Sequence, residues 1–364
     1  MTSLPELLDH SRSLIGRLQH PNGAYPASPT FSAYRGYCWF RDGSFIADGM
    51  SAVGDEESAS RFFDWCGDVI WRHRGRVGRI VAAARTGRPL PDAEMLPARF
   101  LLDGSLGGDD WWDFQLDGYG TWLWAVAEHA ERHGLALDRW AEPMRLTVEY
   151  LVSSWRRPCY DWWEEHAERV HVSTLGCVAA GLRAAAPVTS GALAEAAAGA
   201  GAAVEELIAT DGAVGGRLVK WIGGDDLDGS LSALVAPLDV IDPRSPLATE
   251  TIAAVDAELT SGGGVYRFLD DTFFGGGRWP LLTCFLGLAK LAAGDRVGAT
   301  ACLDWAASAA TADGDLPEQV DGRLLHPSVR QHWIDKWGPV ATPLLWSHAM
   351  VLRLAVALGD RTIA

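Results

Sequence analysis

Apolar residues recur at helical spacing along most of the chain. Stretches rich in Ala, Leu and Val place apolar side chains three or four positions apart, which gives a helix one buried face. Alternating patterns typical of strands are scarce, and the short candidates are Gly264–Phe268 and Leu324–His326. The spacing predicts helices at residues 4–20, 44–53, 56–74, 117–134, 141–155, 172–185, 190–209, 248–259, 280–293, 296–311 and 341–358.

Polar segments rich in Gly and Trp separate alternate helices. Long connections at one end of the helices and short ones at the other are typical of packed helical hairpins. We therefore predict an all-α fold, an (α/α)6 barrel of six helical hairpins, and a single domain over residues 1–364, because no linker or composition break divides the chain. The long segments cover residues 21–43, 99–118, 156–166, 211–230, 261–279 and 312–340.

Composition and charge exclude several classes of protein. The 364 residues include 31 Lys and Arg against 47 Asp and Glu, a formal charge of −16, and no basic run. Nucleic-acid binding is excluded because it needs a clustered positive surface. The N-terminus has polar residues and Pro5 where a secretion signal needs a basic and then an apolar stretch. We expect a cytoplasmic protein that binds no membrane, with its six scattered cysteines reduced and buried.

The 17 tryptophans are the unusual feature of the composition. An indole offers a flat apolar face and one hydrogen-bond donor, which suits stacking against a sugar ring. In the segment DWWDFQLDGY at 110–119, Trp111 and Trp112 are adjacent. Neighbouring residues on a helix point about 100° apart, so both cannot face the core. We expect at least one of them to face a cleft.

Two motifs carry candidate catalytic carboxylates. In YDWWEEH at 160–166, Glu164 and Glu165 follow two tryptophans. A carboxyl group held against an indole loses solvation, so its pKa rises and it can donate a proton; the alternative is a solvated helix start. Glu318 follows Pro317 on a loop, where it is either solvated or the second carboxylate that glycoside hydrolysis requires.

Charged residues also stand beside aromatic ones in YRGYCWFRD at 34–42. Asp42 precedes an apolar helix and could be its N-cap. Together with Arg41, it could instead grip sugar hydroxyls above a floor made by Tyr37 and Trp39.

Arg267 and the paired histidines each allow two interpretations. Arg267 is either an ion-pair partner of Asp270 or Asp271, or a group that holds a substrate hydroxyl. His129 and His133 have metal-ligand spacing, but they lie in the charged sequence EHAERH, which we expect to be a solvated helix face. The chain contains no GxSxG, P-loop or HExxH motif. We therefore predict no metal and no organic cofactor.

Six segments resemble, in order, the signature segments of glycoside hydrolase family 15, the glucoamylase family. They extend from about residue 34 to residue 350. The segments are WFRD at 39–42, FQLDGYG at 114–120, YDWWEE at 160–165, YRFLDDTFFGGGRWPLLT at 266–283, LPEQ at 316–319 and GPVATPLLWSHA at 338–349.

The resemblance implies an (α/α)6 barrel that removes glucose from a non-reducing end with inversion. By position, Glu164 resembles the general acid of the family and Glu318 its general base. Further residues resemble the pocket for the non-reducing glucose and its aromatic walls. The pocket residues are Arg41, Asp42, Trp163, Glu165 and Arg267, and the walls are Trp39, Trp111 and Trp279.

The expected substrate follows from the layout. The chain resembles in size the bacterial members that act on isomaltose, and we expect it to lack the starch-binding module or β-sandwich of other members. We therefore expect an inverting α-glucosidase that releases β-glucose from short α-1,6-glucosides, with glucose and isomaltose as its small-molecule partners. The alternatives are an α-1,4-oligosaccharide glucohydrolase, a trehalase, a non-catalytic sugar-binding protein, and an unrelated (α/α)6 lyase that uses Tyr and His.

Overall fold

Helices dominate the computed structural model, which describes residues 3–108 and 114–360. The predicted helices are present, mostly within a few residues of the expected bounds. The α-helices are α1 (Leu4–Leu18), α2 (Phe40–Ala52), α3 (Glu56–Arg72), α4 (Arg74–Arg85), α5 (Asp117–His133), α6 (Ala141–Ser154), α7 (Val172–Ala184), α8 (Gly191–Thr210), α9 (Ser232–Val235), α10 (Pro246–Glu258), α11 (Pro280–Ala292), α12 (Arg296–Ser308), α13 (Arg330–Trp337) and α14 (Leu345–Ala357).

The strands are short and lie in the connections between helices. They form two antiparallel pairs, β1 with β2 and β3 with β4, and a three-stranded sheet in the order β5, β6, β7. The strands are β1 (Tyr37–Trp39), β2 (Arg99–Leu101), β3 (Ala213–Val214), β4 (Arg217–Leu218), β5 (Thr260–Ser261), β6 (Gly264–Tyr266) and β7 (Arg278–Trp279).

Six helices form a closed inner ring. Each of α2, α5, α7, α9, α11 and α14 packs against the next, and α14 packs against α2. The helices α1, α3, α6, α8, α10 and α12 cover this ring from outside. This arrangement confirms the predicted (α/α)6 barrel of six hairpins.

The sequence explains which helices lie inside. In α7 and α11, apolar and small residues cover all sides of the helix, and almost every residue is buried. The outer helix α3 is amphipathic, with Asp55 as its N-cap, Glu56 and Glu57 in the first turn and Arg72 in the last. α5 and α7 approach closely at Gly120, where an added Cβ would lie 2.3 Å from the carbonyl oxygen of Cys177.

Several details differ from the predictions. The helices α4, α9 and α13 were not predicted, and Leu324–His326 forms no strand. His129 is fully buried rather than solvated, because Ser51 and Ser60 supply hydrogen-bond partners for its two ring nitrogens, each at 2.9 Å. All six cysteines are buried and unpaired, as expected.

The long connections all lead into inner helices. They join α1 to α2, α4 to α5, α6 to α7, α8 to α9, α10 to α11 and α12 to α14, whereas several of the connections that leave the inner helices span only a few residues. The N-terminal ends of the inner helices and the loops before them therefore gather at one end of the barrel. Within the described ranges, no helix is long and apolar enough to cross a membrane.

Candidate active site

A cavity of about 360 Å³ opens where the long connections meet. Its wall combines a charged floor with many aromatic side chains, the usual make-up of a small-ligand site. The charged lining residues are Arg41, Asp42, Glu164, Glu165, Arg267, Glu318 and Lys336. The aromatic ones are Phe31, Tyr34, Trp39, Trp162, Trp163, Phe273, Trp279, Trp333, Trp337 and Trp346.

The structure brings most of the predicted site residues to this one cavity. Among the described residues, the exception is Tyr37. Tyr37 packs against Trp39 and under the guanidinium of Arg99, 4.1 Å from its ring centre, and it is not among the described lining residues. Trp111 lies outside the described residues. Those that line the cavity are Trp39, Arg41, Asp42, Trp163, Glu164, Glu165, Arg267, Trp279 and Glu318.

Glu318 is buried, with 2% of its surface exposed. Its Oε1 accepts a hydrogen bond of 2.8 Å from the Tyr34 hydroxyl, and its Oε2 is a buried oxygen without a partner among the described residues. Burial raises the pKa of Glu318 to about 8, although the Tyr34 hydroxyl and the Arg267 charge act in the opposite direction. The loop is fixed in place because the backbone N–H of Glu318 donates to the carbonyl of Ala341 at 2.9 Å.

Glu164 belongs to the YDWWEEH segment, which forms a tight turn between α6 and α7. Its φ of 63° is in the left-handed region, which non-glycine residues rarely adopt. The turn is held by Asp161, whose Oδ1 accepts the backbone N–H groups of Trp163 and Glu165, each at 2.9 Å. The Glu164 Oε1 atom accepts a hydrogen bond from the indole N–H of Trp39. The turn therefore presents this carboxylate to the cavity in one orientation.

Arg41 and Asp42 form the floor of the cavity. α2 begins at Phe40, so Asp42 lies inside its first turn and is not the N-cap. Arg41 donates to Gln115 Oε1 at 2.6 Å and to Asp117 Oδ2 at 3.1 Å, and it lies 3.3 Å from Asp42 Oδ2. Burial raises the pKa of Asp42 to about 6, against the attraction of Arg41. Asp42 Oδ2 has no hydrogen-bond partner among the described residues, so it is available to a sugar hydroxyl.

Arg267 forms one of the expected ion pairs, with Asp271, and it also lines the cavity. Its Nε donates to Asp271 Oδ2 at 2.7 Å, and its guanidinium lies 3.4 Å from Glu165 Oε1. It also lies about 5 Å from the ring centres of Trp163 and Trp279. The ion pair with Asp271 therefore holds Arg267 rigidly against the aromatic wall, where it also contributes to the cavity surface.

Several lining residues were missed by the sequence analysis. Tyr34 and Trp346 lie in segments that were identified as candidate motifs, but neither residue was predicted to line the site. Trp333 and Trp337 lie four residues apart on α13, with Lys336 between them. Two tryptophans at this spacing share one helix face. That spacing was the available signal, and it was obscured by the polar residues of this short helix.

A six-hairpin barrel whose long loops bring two carboxylates to one aromatic-lined cavity is the arrangement of an enzyme that hydrolyses glycosidic bonds. The chain belongs to glycosyl hydrolase family 15, because the family model described as "Glycosyl hydrolases family 15" matches residues 6–306. It is therefore a glycoside hydrolase.

Individual relatives support the same assignment. The chain is 51% identical over 362 residues to the isomaltose glucohydrolase of Kribbella flavida, covering 99% of this chain and 94% of that protein. It is 52% identical to a glycosidase variant solved in complex with glucose, with a TM-score of 0.95 over 98% of this chain and 97% of that one. A bacterial glucoamylase solved with acarbose shares the fold at 21% identity, with a TM-score of 0.74 over 98% of this chain and 56% of that chain.

Proposed function

We propose that this glycoside hydrolase is an inverting α-glucosidase that releases β-glucose from the non-reducing end of short α-1,6-glucosides such as isomaltose. The observation that carries the proposal is the cavity that Glu164 and Glu318 share. The extensive identity with the Kribbella flavida isomaltose glucohydrolase supports the choice of linkage.

The two carboxylates divide the reaction. Glu164 protonates the oxygen of the leaving sugar, and Glu318 activates a water molecule on the opposite face of the glucose ring. Water then displaces the leaving sugar in one step, so the anomeric carbon inverts and no glycosyl-enzyme forms. This pairing requires the carboxyl groups to lie about 6.5–9.5 Å apart, with the water between them. The unpartnered Oε2 of Glu318 is the atom available to that water.

The non-reducing glucose is held by the charged floor. Asp42 and Glu165 accept hydrogen bonds from sugar hydroxyls, while Arg41 and Arg267 donate to them. Both guanidinium groups are buried and oriented by partner carboxylates, so they lose little entropy when they bind the sugar. Charge-assisted hydrogen bonds of this kind contribute about 1.5–3 kcal/mol each.

The size of the cavity favours a short substrate. Its volume of about 360 Å³ lies at the small end of the usual range for ligand sites, roughly 300–1,000 Å³. Trp333 and Trp337 of α13 form one side of it, and these flat rings suit stacking against the second sugar.

The chain acts as a single catalytic domain over residues 1–364 in the cytoplasm. One continuous apolar core extends from Leu7 to Leu358, which supports a single folding unit. The six buried and unpaired cysteines are those of a protein in a reducing compartment.

A glucose-release assay on isomaltose, maltose and trehalose tests the proposed linkage. We expect the highest kcat/KM for isomaltose. A preference for maltose would indicate an α-1,4-oligosaccharide glucohydrolase, and a preference for trehalose would indicate a trehalase. Either result would overturn the proposed substrate, while leaving the shared catalytic machinery in place.

A further inference from the structure

A buried lysine lies behind the turn that carries Glu164. Lys220 is one of three lysines in the chain, and 3% of it is exposed. Its ammonium nitrogen lies 3.3 Å from Asp161 Oδ2 and 3.0 Å from Asp228 Oδ2, and both carboxylates are also buried. It also lies 3.3 Å from the ring centre of Phe268. One cation therefore joins two buried anions.

Each of these carboxylates holds a different part of the same turn. Asp161 Oδ1 accepts the backbone N–H groups of Trp163 and Glu165, the residues on either side of Glu164. Asp228 Oδ2 accepts the indole N–H of Trp163 at 2.9 Å. The backbone of the turn and the side chain of Trp163 are thus fixed by two carboxylates that Lys220 holds together.

The turn needs this support because Glu164 adopts a left-handed backbone conformation with φ of 63°. Residues in this region persist only where the surrounding structure determines them. Buried carboxylates can hold such a turn only when their charges are balanced, since an unpaired buried charge is strongly destabilising. Burial alone would raise the pKa of Asp228, but Lys220 and hydrogen bonds from Ser230 and Trp163 hold it below its usual range.

Two hydrogen bonds fix the backbone of Lys220. Its N–H donates to the carbonyl of Asp226 at 2.8 Å, and its carbonyl accepts from the N–H of Val172 at 3.0 Å, the first residue of α7. The lysine therefore joins the connection before α9 to the start of α7, directly after the acid-bearing turn.

We propose that Lys220 is a positioning residue for the general acid: it aligns Glu164 with the leaving oxygen by clamping Asp161 and Asp228. The proposal rests on the function proposed above, in which Glu164 protonates the leaving sugar. Lys220 does not line the catalytic cavity, so it acts through the turn and not on the substrate. Because Trp163 and Glu165 also line the cavity, removing this charge should impair proton donation most and sugar binding to a smaller degree.

The test compares Lys220→Met on two substrates that differ in their need for a proton. Isomaltose has a poor leaving group and needs the acid, whereas α-glucosyl fluoride does not. We expect kcat on isomaltose to fall about 10- to 100-fold with a smaller rise in KM, because small misplacements of a catalytic group cost this much. Hydrolysis of the fluoride should fall less than about threefold. Lys220→Arg, which keeps the charge, should restore part of the lost activity.

Control variants make the outcome decisive. Lys290→Met removes a lysine in the last turn of α11, at the end of that helix away from the cavity, where it pairs with Asp256 of α10 at 2.8 Å. This variant should hydrolyse both substrates as the wild-type protein does. Glu164→Gln tests the proposed function itself. If this variant loses activity on α-glucosyl fluoride as fully as on isomaltose, then Glu164 is not the acid.

Suppose that Glu164→Gln still hydrolyses the fluoride. If Lys220→Met then slows the hydrolysis of both substrates equally, or slows neither, the positioning role is wrong. Where Lys220→Met does not fold, Asp228→Asn decides, because it removes one of the two clamped charges. It should lower isomaltose turnover several-fold and spare the fluoride. Equal effects on the two substrates, or none, would overturn the proposal.

Discussion

Glu318 lies in an environment that disfavours its ionised form. It is buried, and this burial raises its pKa to about 8, while the hydrogen bond from Tyr34 favours the carboxylate. A general base must be ionised to work, so activity is lost as the pH falls through its pKa. Taken alone, a raised pKa also fits a general acid, and for this reason the leaving-group comparison of Glu164→Gln matters more than the pKa of Glu318.

Tyr34→Phe tests the environment of Glu318. The substitution removes a hydrogen bond to the ionised form, so the pKa of Glu318 should rise further and the acid limb of kcat/KM should move to higher pH. The pH–rate profile on isomaltose measures this shift. Tyr25→Phe, which removes a buried hydroxyl bonded to Ser58 instead, should leave the limb in place. An unchanged limb, or a shift to lower pH, in Tyr34→Phe would contradict this account.

The sequence indicated which individual residues line the cavity better than it indicated their contacts. Glu164 and Glu318 could be found because acidic residues beside tryptophan or proline stand out against a helical background. Tyr34 could not be assigned a partner, because Glu318 follows it by 284 residues and only the closed barrel brings them together. Lys220 lacked any local signal, since its two carboxylate partners come from different loops.

The loop that carries Glu318 is fixed by two terminal helices. His348 of α14 accepts the backbone N–H of Leu316 at Nε2, 2.9 Å away, and its Nδ1 lies 2.8 Å from the Ser11 hydroxyl of α1. This pairing requires a neutral imidazole with its proton on Nδ1. Burial lowers the pKa of His348 to about 3, so the folded protein strongly prefers the neutral form.

His348→Gln tests this contact through the pH dependence of stability. An unfolded histidine titrates near 6.5, so the fold retains its full contribution above that pH and loses it as the pH falls towards 3. Between pH 6.5 and 4 the loss amounts to about 3 kcal/mol. Urea unfolding at pH 7, 5.5 and 4 should show a steeper loss in the wild-type protein than in His348→Gln. Parallel losses in the two proteins would contradict the buried neutral histidine.

Helices were predictable where burial repeats with the helical period. The inner helices α7 and α11 are apolar on nearly every side, and their extents follow from the sequence to within one residue. Helix α13 was not predicted, because its eight residues present only a short apolar face among polar ones. α9 has four residues, too few for any periodicity, and its place in the inner ring depends on its contacts with α7 and α11.

Different parts of the barrel supply its stability and its cavity. The inner ring and its outer layer form one apolar core, whereas the long connections before the inner helices supply the side chains of the cavity. The alternation of long polar segments with helices revealed this division in the sequence. The shape of the cavity could not be predicted, because it depends on how loops that are distant in sequence fold over one another.

The anomeric form of the first product tests the central claim most directly. If Glu164 and Glu318 act as acid and base in a single displacement, an α-glucoside must give β-glucose. Proton NMR of the first turnovers on isomaltose should therefore show β-glucose appearing first and the α anomer arising later by mutarotation. If α-glucose appears ahead of β-glucose, the reaction proceeds with retention and the proposed pairing of Glu164 with Glu318 is wrong.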